Sequence, residues 1–172
     1  AQLRERESEL HHRTLHDPLT GLANRVLFQE RVDHAIATHE RGTSTLAVLF
    51  VDLDGFKQIN DTFGHGTGDA LLSEVAVRLQ DCTRTGDTVG RFGGDEFAVL
   101  TEQITTVEDA KIVADRIISA LQHPFDIDGQ VCHVTASAGI ALYRDGDTAD
   151  TTIRNADEAM YTAKAAGKNH YA

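Results

Sequence analysis

Two pairs of acidic residues dominate the chemistry this sequence can support. Asp52 and Asp54 follow the apolar run Leu46-Ala47-Val48-Leu49-Phe50-Val51, the pattern of a strand buried on both faces of a sheet. A carboxylate at the end of such a strand must be compensated, because burying it unpaired is expensive, and a hard cation is one direct remedy. Capping of a helix that begins near Phe56 is the other use for either aspartate. Asp95 and Glu96 follow Gly93-Gly94, two glycines able to take the positive φ values of a two-residue hairpin turn. With that hairpin beside the Asp52 strand, Asp52 and Asp95 converge from two backbone segments. Such convergence suits a two-cation phosphoryl-transfer site, in which Mg²⁺ neutralises a triphosphate and acidifies an attacking hydroxyl.

The surrounding residues suit a nucleotide. Gly55 lets the chain turn sharply into the helix starting at Phe56, whose unpaired N–H groups can receive phosphate oxygens. Lys57, Arg91, Lys164 and Lys168 offer positive charge. Lys164 and Lys168 are four apart near the end of the last helix, where the helix dipole alone also accounts for them. Asn60 and Asp69 bracket the loop Gly64-His65-Gly66-Thr67-Gly68, which can fold an amide and a carboxylate onto one pocket. Guanine requires that combination: a carboxylate accepts from N1-H and N2-H, and an amide meets the remaining edge. Asp69 as the N-cap of the following helix is the alternative. Arg84 and Asp87 flank Thr85-Gly86 in a helix-to-strand turn and, taken alone, read as surface residues. His12 and His16 are four apart with no third metal ligand in evidence, and His65 reads as a loop-ordering residue. Cys82 and Cys132 read as small buried hydrophobes, with no redox or thiolate-metal spacing.

These groups must be held by one domain, because 172 residues build a single sizeable core. Hydrophobic residues make up 41% and prolines number 2, which excludes disordered and collagen-like classes. With 27 acidic against 16 basic residues the net charge is −11, so nucleic acid is no partner and an anionic ligand must be met locally. The lack of a long apolar run or signal-like start points to a cytoplasmic domain, whether or not a longer protein is attached to a membrane. Residues 1–16 read as a solvated helical linker stub, part of a longer helix, with only Leu3 and Leu10 as heptad anchors. Asp17-Pro18 stops it. Asn24 caps a helix that Arg41-Gly42 ends, and helices follow over 56–63, 69–80, 107–121 and 150–166. Strands are expected over 46–51, 88–92, 96–100, 124–127 and 130–142, with a turn at Asp128-Gly129. The tally, βααββαβ, predicts an α+β fold with a central, mostly antiparallel five-stranded sheet flanked by helices.

At this density of signals a resemblance emerges. Arg91-Phe92-Gly93-Gly94-Asp95-Glu96-Phe97 resembles the hallmark of the GGDEF family, the diguanylate cyclases that join two GTP molecules into cyclic di-GMP. The similarity extends to His16-Asp17-Pro18-Leu19-Thr20-Gly21-Leu22-Ala23-Asn24-Arg25, to the segments 52–61 and 64–69, and to 161–169. The resemblance implies a core like the class III nucleotide cyclase and polymerase palm, with residues 17–172 as the cyclase domain. It implies that Asp52, Asp95 and the Leu53 carbonyl hold Mg²⁺, for which Mn²⁺ can substitute, two ions per GTP-bound half-site. Glu96 then lies near the attacking 3′-hydroxyl as proton acceptor. Asn60 and Asp69 read guanine, Gly55, Phe56 and Lys57 receive phosphate, and Lys164 and Lys168 grip the triphosphate. The family often has Arg where this chain has Lys168, which keeps the charge without the bidentate grip. Arg84 and Asp87 match the family's inhibitory site for the product, cyclic di-GMP. The implied catalyst is a homodimer of half-sites; with only Leu3 and Leu10 as heptad anchors the isolated domain is expected to be mostly monomeric in dilute solution, and its N-terminal helix is expected to join a sensory or receiver domain that sets the spacing of two cyclase domains. A catalytically silent GTP- or cyclic-di-GMP-binding regulatory domain is the alternative, and a cyclase acting within one nucleotide is a more distant one.

Overall fold

The computed structural model describes residues 2–39 and 42–172. Helix α1 (Gln2–Leu15) buries none of its residues, and Leu3 and Leu10 are 77% and 64% exposed. It projects as the solvated helix its polarity dictates, while Ala1 lies outside the described residues. Asn24 caps α2 (Arg25–Thr38), its side chain accepting from the Leu27 N–H at 3.0 Å. The expected stop at Arg41 lies outside the described residues, and His39 is the C-cap.

The remaining elements are β1 (Thr45–Asp54), α3 (Phe56–Phe63), α4 (His65–Asp81), β2 (Thr88–Gly93), β3 (Glu96–Ile104), α5 (Val107–Gln122), β4 (Phe125–Ile127), β5 (Gln130–Cys132), β6 (Thr135–Leu142) and α6 (Ala149–Ala165). The main sheet runs in the order β2-β3-β1-β6 and is antiparallel throughout. It has four strands, not the five expected. The stretch 130–142 is broken at His133-Val134, because the Asp128-Gly129 turn pairs β4 with β5 in a separate hairpin. Both edges of the main sheet are covered. Arg91 N–H donates to the Ala23 carbonyl on the β2 side, and the chain end at His170–Ala172 bonds Ala138 and Ile140 of β6. Covered edges do not template further strands.

Alternation along β1 divides the core. Ala47, Leu49, Val51 and Leu53 pack with α4 and α5, whereas Leu46, Val48 and Phe50 pack with α2 and α6. Asp52 and Asp54 continue the second series, so both emerge on the α6 side of the sheet. Reciprocal arginines lock α4 to α5. Arg78 donates to the Ala120, His123 and Pro124 carbonyls at 2.6–2.9 Å, and Arg116 donates to the Cys82 carbonyl at 3.0 Å. Each fills orphan acceptors at the other helix's C-terminus. Cys82 and Cys132 are buried, as expected.

Candidate active site

The register of the central strands brings the acids together. Asp52 is opposite Glu96 of β3 and opposite Ser137 of β6. Leu53 N–H donates to the Asp95 carbonyl at 3.2 Å, fastening the tip of the β2–β3 hairpin to the end of β1. That tip turns through Gly94-Asp95 rather than Gly93-Gly94, with Gly93 paired to Glu96 and φ of 137° and 49° at the two glycines. The one-residue shift places Asp95 in the turn itself, facing Asp52.

Asp52 is under strain from its surroundings. Lys164 Nζ lies 3.0 Å from its Oδ2, and its Oδ1 is buried with no hydrogen-bond partner. Burial pushes its pKa from 3.8 up to about 6; the Lys164 ammonium opposes the shift and the Asp95 charge adds to it. Burial also raises Glu96, helped by the like charges of Asp157 and Asp95. Asp157, on α6 two turns before Lys164, is a residue that sequence reasoning missed, although its spacing from Lys164 puts it on the same helix face.

Neither Asp52 nor Asp54 caps α3. The N-cap is Gly55, at φ 82° with no side-chain cap, so the first N–H groups of α3 remain available and Lys57 stands exposed on that first turn. Asp54 instead accepts from Thr135 Oγ1, Ser137 Oγ and the Asn169 N–H at 2.9–3.1 Å. Asn60, half-buried on α3, faces α4. Helix α4 starts at His65, four residues before the expected start, so the glycine segment is helical, His65 is its first residue and Asp69 is not an N-cap. A Cβ at Gly68 would meet Asn60 Oδ1 and Phe56, so only glycine lets α4 back onto this amide. Asp69 is next in the chain and exposed, on the same α3–α4 junction. Lys168 is exposed in the turn after α6, its N–H donating to the Ala163 carbonyl at 3.2 Å. It makes no ion pair among the described residues.

Arg91, a candidate phosphate ligand by charge, is committed elsewhere. Its Nη1 pairs with Asp17 at 2.9 Å, and its Nε and Nη2 donate to the Gly94 carbonyl at 3.1 and 2.9 Å. Burial pushes the Asp17 carboxyl up, but hydrogen bonds from Thr20 and the Arg91 guanidinium outweigh it and hold the pKa below its usual value. A loop before α2 thereby grips the acidic hairpin.

Arg84 and Asp87 lie at the other end of β3, about 20 Å away for six residues of strand. Asp87 accepts from the backbone N–H groups of Arg84 and Glu102 at 3.0 and 3.2 Å. It thus pins its own turn to β3. A cavity of about 250 Å³ opens there, lined by Arg84, Asp87, Glu102, Asp109 and Arg116 among others. Arg116 adds a second guanidinium that sequence spacing did not locate.

For a metal, the fit is partial in the manner Mg²⁺ tolerates. Among the described residues no three His, Cys, Asp or Glu side chains converge to hold an ion by themselves. Asp52 offers an unpartnered oxygen beside Asp95, and Mg²⁺ is usually completed by water and substrate phosphate. The donor set is all oxygen, as a hard cation requires. No helix among the described residues is long and apolar enough to cross a membrane.

Known proteins resemble this chain in sequence and fold. The family described as "Diguanylate cyclase, GGDEF domain" matches residues 14–170. The bifunctional diguanylate cyclase/cyclic di-GMP phosphodiesterase MucR of Pseudomonas aeruginosa is 45% identical over 164 residues, 95% of this chain and 24% of that protein. The chain thus spans about a quarter of that relative, and 38% of the diguanylate cyclase TpbB of the same species. The solved GGDEF domain of PA1120 (YfiN or TpbB) is similar at TM-score 0.83 and 41% identity, over 87% of this chain and 94% of that one. The coiled coil and GGDEF domain of DgcB from Caulobacter crescentus, in complex with c-di-GMP, reaches TM-score 0.88 at 28% identity over 98% and 90%. With residues 14–170 matched to the family and the fold shared with solved GGDEF domains, this chain belongs to the GGDEF domain family of cyclic di-GMP signalling proteins.

Proposed function

We propose that residues 17–172 form one half-site of a diguanylate cyclase, with residues 1–16 as a linker from a preceding sensory or receiver domain. The observation that carries this reading is the underpaired Asp52, whose buried Oδ1 has no partner while Asp95 crowds it from the hairpin tip. Mg²⁺ bound by Asp52, Asp95 and the Leu53 carbonyl, two ions per half-site, would neutralise the triphosphate and acidify the attacking hydroxyl. The free N–H groups at Gly55-Phe56-Lys57 receive phosphate oxygens, and Lys164 from α6 and Lys168 from the turn after it add charge. Asn60 and Asp69 read guanine at the α3–α4 junction. Glu96, with its raised pKa, takes the 3′-hydroxyl proton as that oxygen bonds to the α-phosphate of the GTP on the second copy. The α–β phosphoanhydride bond breaks and pyrophosphate leaves. Two such events close cyclic di-GMP.

Because each domain holds one GTP, two copies must face each other. Helix α1 buries nothing and has only Leu3 and Leu10 to pair, so the isolated domain is mostly monomeric and its specific activity rises with protein concentration. Arg84 and Asp87 bind the product and give feedback that is non-competitive with GTP, with Arg116 at hand in the same cavity.

Incubation of the concentrated, folded protein with GTP and Mg²⁺ tests the reading by mass of the product and by pyrophosphate release. Cyclic di-GMP supports it, and a cyclic mononucleotide indicates a cyclase acting within one nucleotide. Absence of both cyclic di-GMP and pyrophosphate from a dimerising preparation assigns the domain a silent, ligand-binding role. For feedback, Arg84→Ala removes tight cyclic di-GMP binding in calorimetry and leaves turnover intact, whereas equal affinity and inhibition in both proteins would exclude this site.

A further inference from the structure

Asp95 of the hairpin tip crowds Asp52, Glu96 is registered opposite Asp52 on β3, and Asp157 lies near Glu96. Among the described residues a single cation pairs directly with them: Lys164, 3.0 Å from Asp52 Oδ2. Lys57 and Lys168 are exposed and make no ion pair there. Arg25 is held 5.0 Å from the centre of the Phe92 ring. Lys164 comes from the last turn of α6 and is 27% exposed, so its flexible four-carbon stem can carry the ammonium outward.

We infer that Lys164 is the resident counter-ion of Asp52, and that exchange of this lysine from carboxylate to triphosphate couples divalent-cation binding to GTP binding. The inference rests on the reading of Asp52 as a metal ligand. A divalent ion on Asp52 would sit within a few ångströms of the ammonium, and two cations that close repel strongly in a partly desolvated site. In the nucleotide-free protein the ion must expel Lys164 into solvent with nothing gained in return. When a triphosphate lies along the N-terminus of α3, the ammonium has a new anion to meet and Asp52 is released. Metal affinity is therefore suppressed without nucleotide and restored with it, and by linkage the metal raises nucleotide affinity by the same factor. A lysine that only gripped phosphate would leave nucleotide-free metal binding indifferent to its presence. The unpartnered Oδ1 on the same carboxylate shows that Lys164 satisfies half of Asp52 and leaves the other half for another ligand.

Mn²⁺ is the probe, with free ion followed by electron paramagnetic resonance on the whole chain, alone and with saturating 3′-deoxy-GTP, which lacks the attacking hydroxyl. Lys164→Met is expected to raise nucleotide-free Mn²⁺ affinity about tenfold, within the usual range of coupling between sites, and to change the affinity with nucleotide far less. Lys164→Gln should do the same, and Lys164→Arg should keep the suppression. If Lys164→Met and Lys164→Gln leave nucleotide-free Mn²⁺ binding unchanged or weaker while Asp52→Asn abolishes it, the lysine inference fails and the metal reading stands. Mn²⁺ binding that survives Asp52→Asn overturns the metal reading and the inference with it.

Discussion

Asp52 and Asp54 are the same residue type on the same face of one strand, two positions apart, yet their environments are opposite. Asp54 is saturated by two hydroxyls and a backbone N–H from β6 and the turn after α6. Asp52 has one lysine and one orphaned oxygen. The contrast is sharpest at Ser137, which is registered opposite Asp52 but gives its hydroxyl to Asp54. Asp54 ties β1, β6 and the chain after α6 into one unit, whereas Asp52 is left incomplete, at the point where the proposed function places a ligand. A satisfied buried carboxylate is a fastener, and an unsatisfied one marks a binding centre.

The largest expected effect is on the incomplete side. Asp95→Asn should lower turnover by about a hundredfold or more, roughly 3 kcal/mol of barrier, with an unchanged circular dichroism spectrum; near-wild-type pyrophosphate release at limiting Mg²⁺ would move the metal away from the hairpin. Asp54→Ala attacks the fastener and should destabilise the fold by about 2–4 kcal/mol in urea, because Ser137, Thr135 and Asn169 lose their acceptor at once. A loss below about 0.5 kcal/mol, the scale of ordinary surface substitutions, would show that water replaces the carboxylate and that the contrast is weaker than the geometry indicates.

Asp52→Asn should instead stabilise the metal-free protein at pH 7.5, by about 1–2 kcal/mol for a shift of this size partly screened at the cleft. The folded state holds the Asp52 proton more tightly than the unfolded chain, since its pKa rises from 3.8 to about 6. Its contribution is favourable below the lower value and is lost as pH rises through the upper one. The gain from asparagine therefore grows between about pH 4 and 6, is complete above the upper value and nearly vanishes below the lower one, so denaturant midpoints at pH 7.5 and near pH 4 measure it; an equal gain at both would mean that charge is not the cause. The smallest effect is expected for Arg91→Lys, a drop in turnover of about three- to tenfold, because lysine keeps the charge but cannot hold Asp17 and the Gly94 carbonyl together. Unchanged turnover would show that the hairpin tip is positioned without this grip.

What the sequence disclosed was local. Apolar runs, paired acids and the turn residues located β1, β2, β3 and α3, because each signal lies within a few residues of the element it specifies. The roles of Asp54 and Arg91 were hidden because their partners lie far along the chain, Ser137 and Asn169 for one and Asp17 for the other. The start of α4 was misplaced because Gly66 and Gly68 each disfavour a helix by about 1 kcal/mol relative to alanine, a preference that close packing on Asn60 overrides. The fifth strand was miscounted because alternation continues through His133 while pairing does not.

Gly139, in the middle of β6, carries no chemistry, but a Cβ there would collide with the Ala156 carbonyl and the Met160 nitrogen. The backbone of α6 therefore rests directly on the backbone of β6, one turn before the lysine that reaches Asp52. Any side chain at 139 lifts the helix and draws that ammonium away from the acids. In a mutational survey this position would score like a catalytic residue, and a map of inactivating substitutions on this domain would trace the seat of the helix as well as the chemistry it carries.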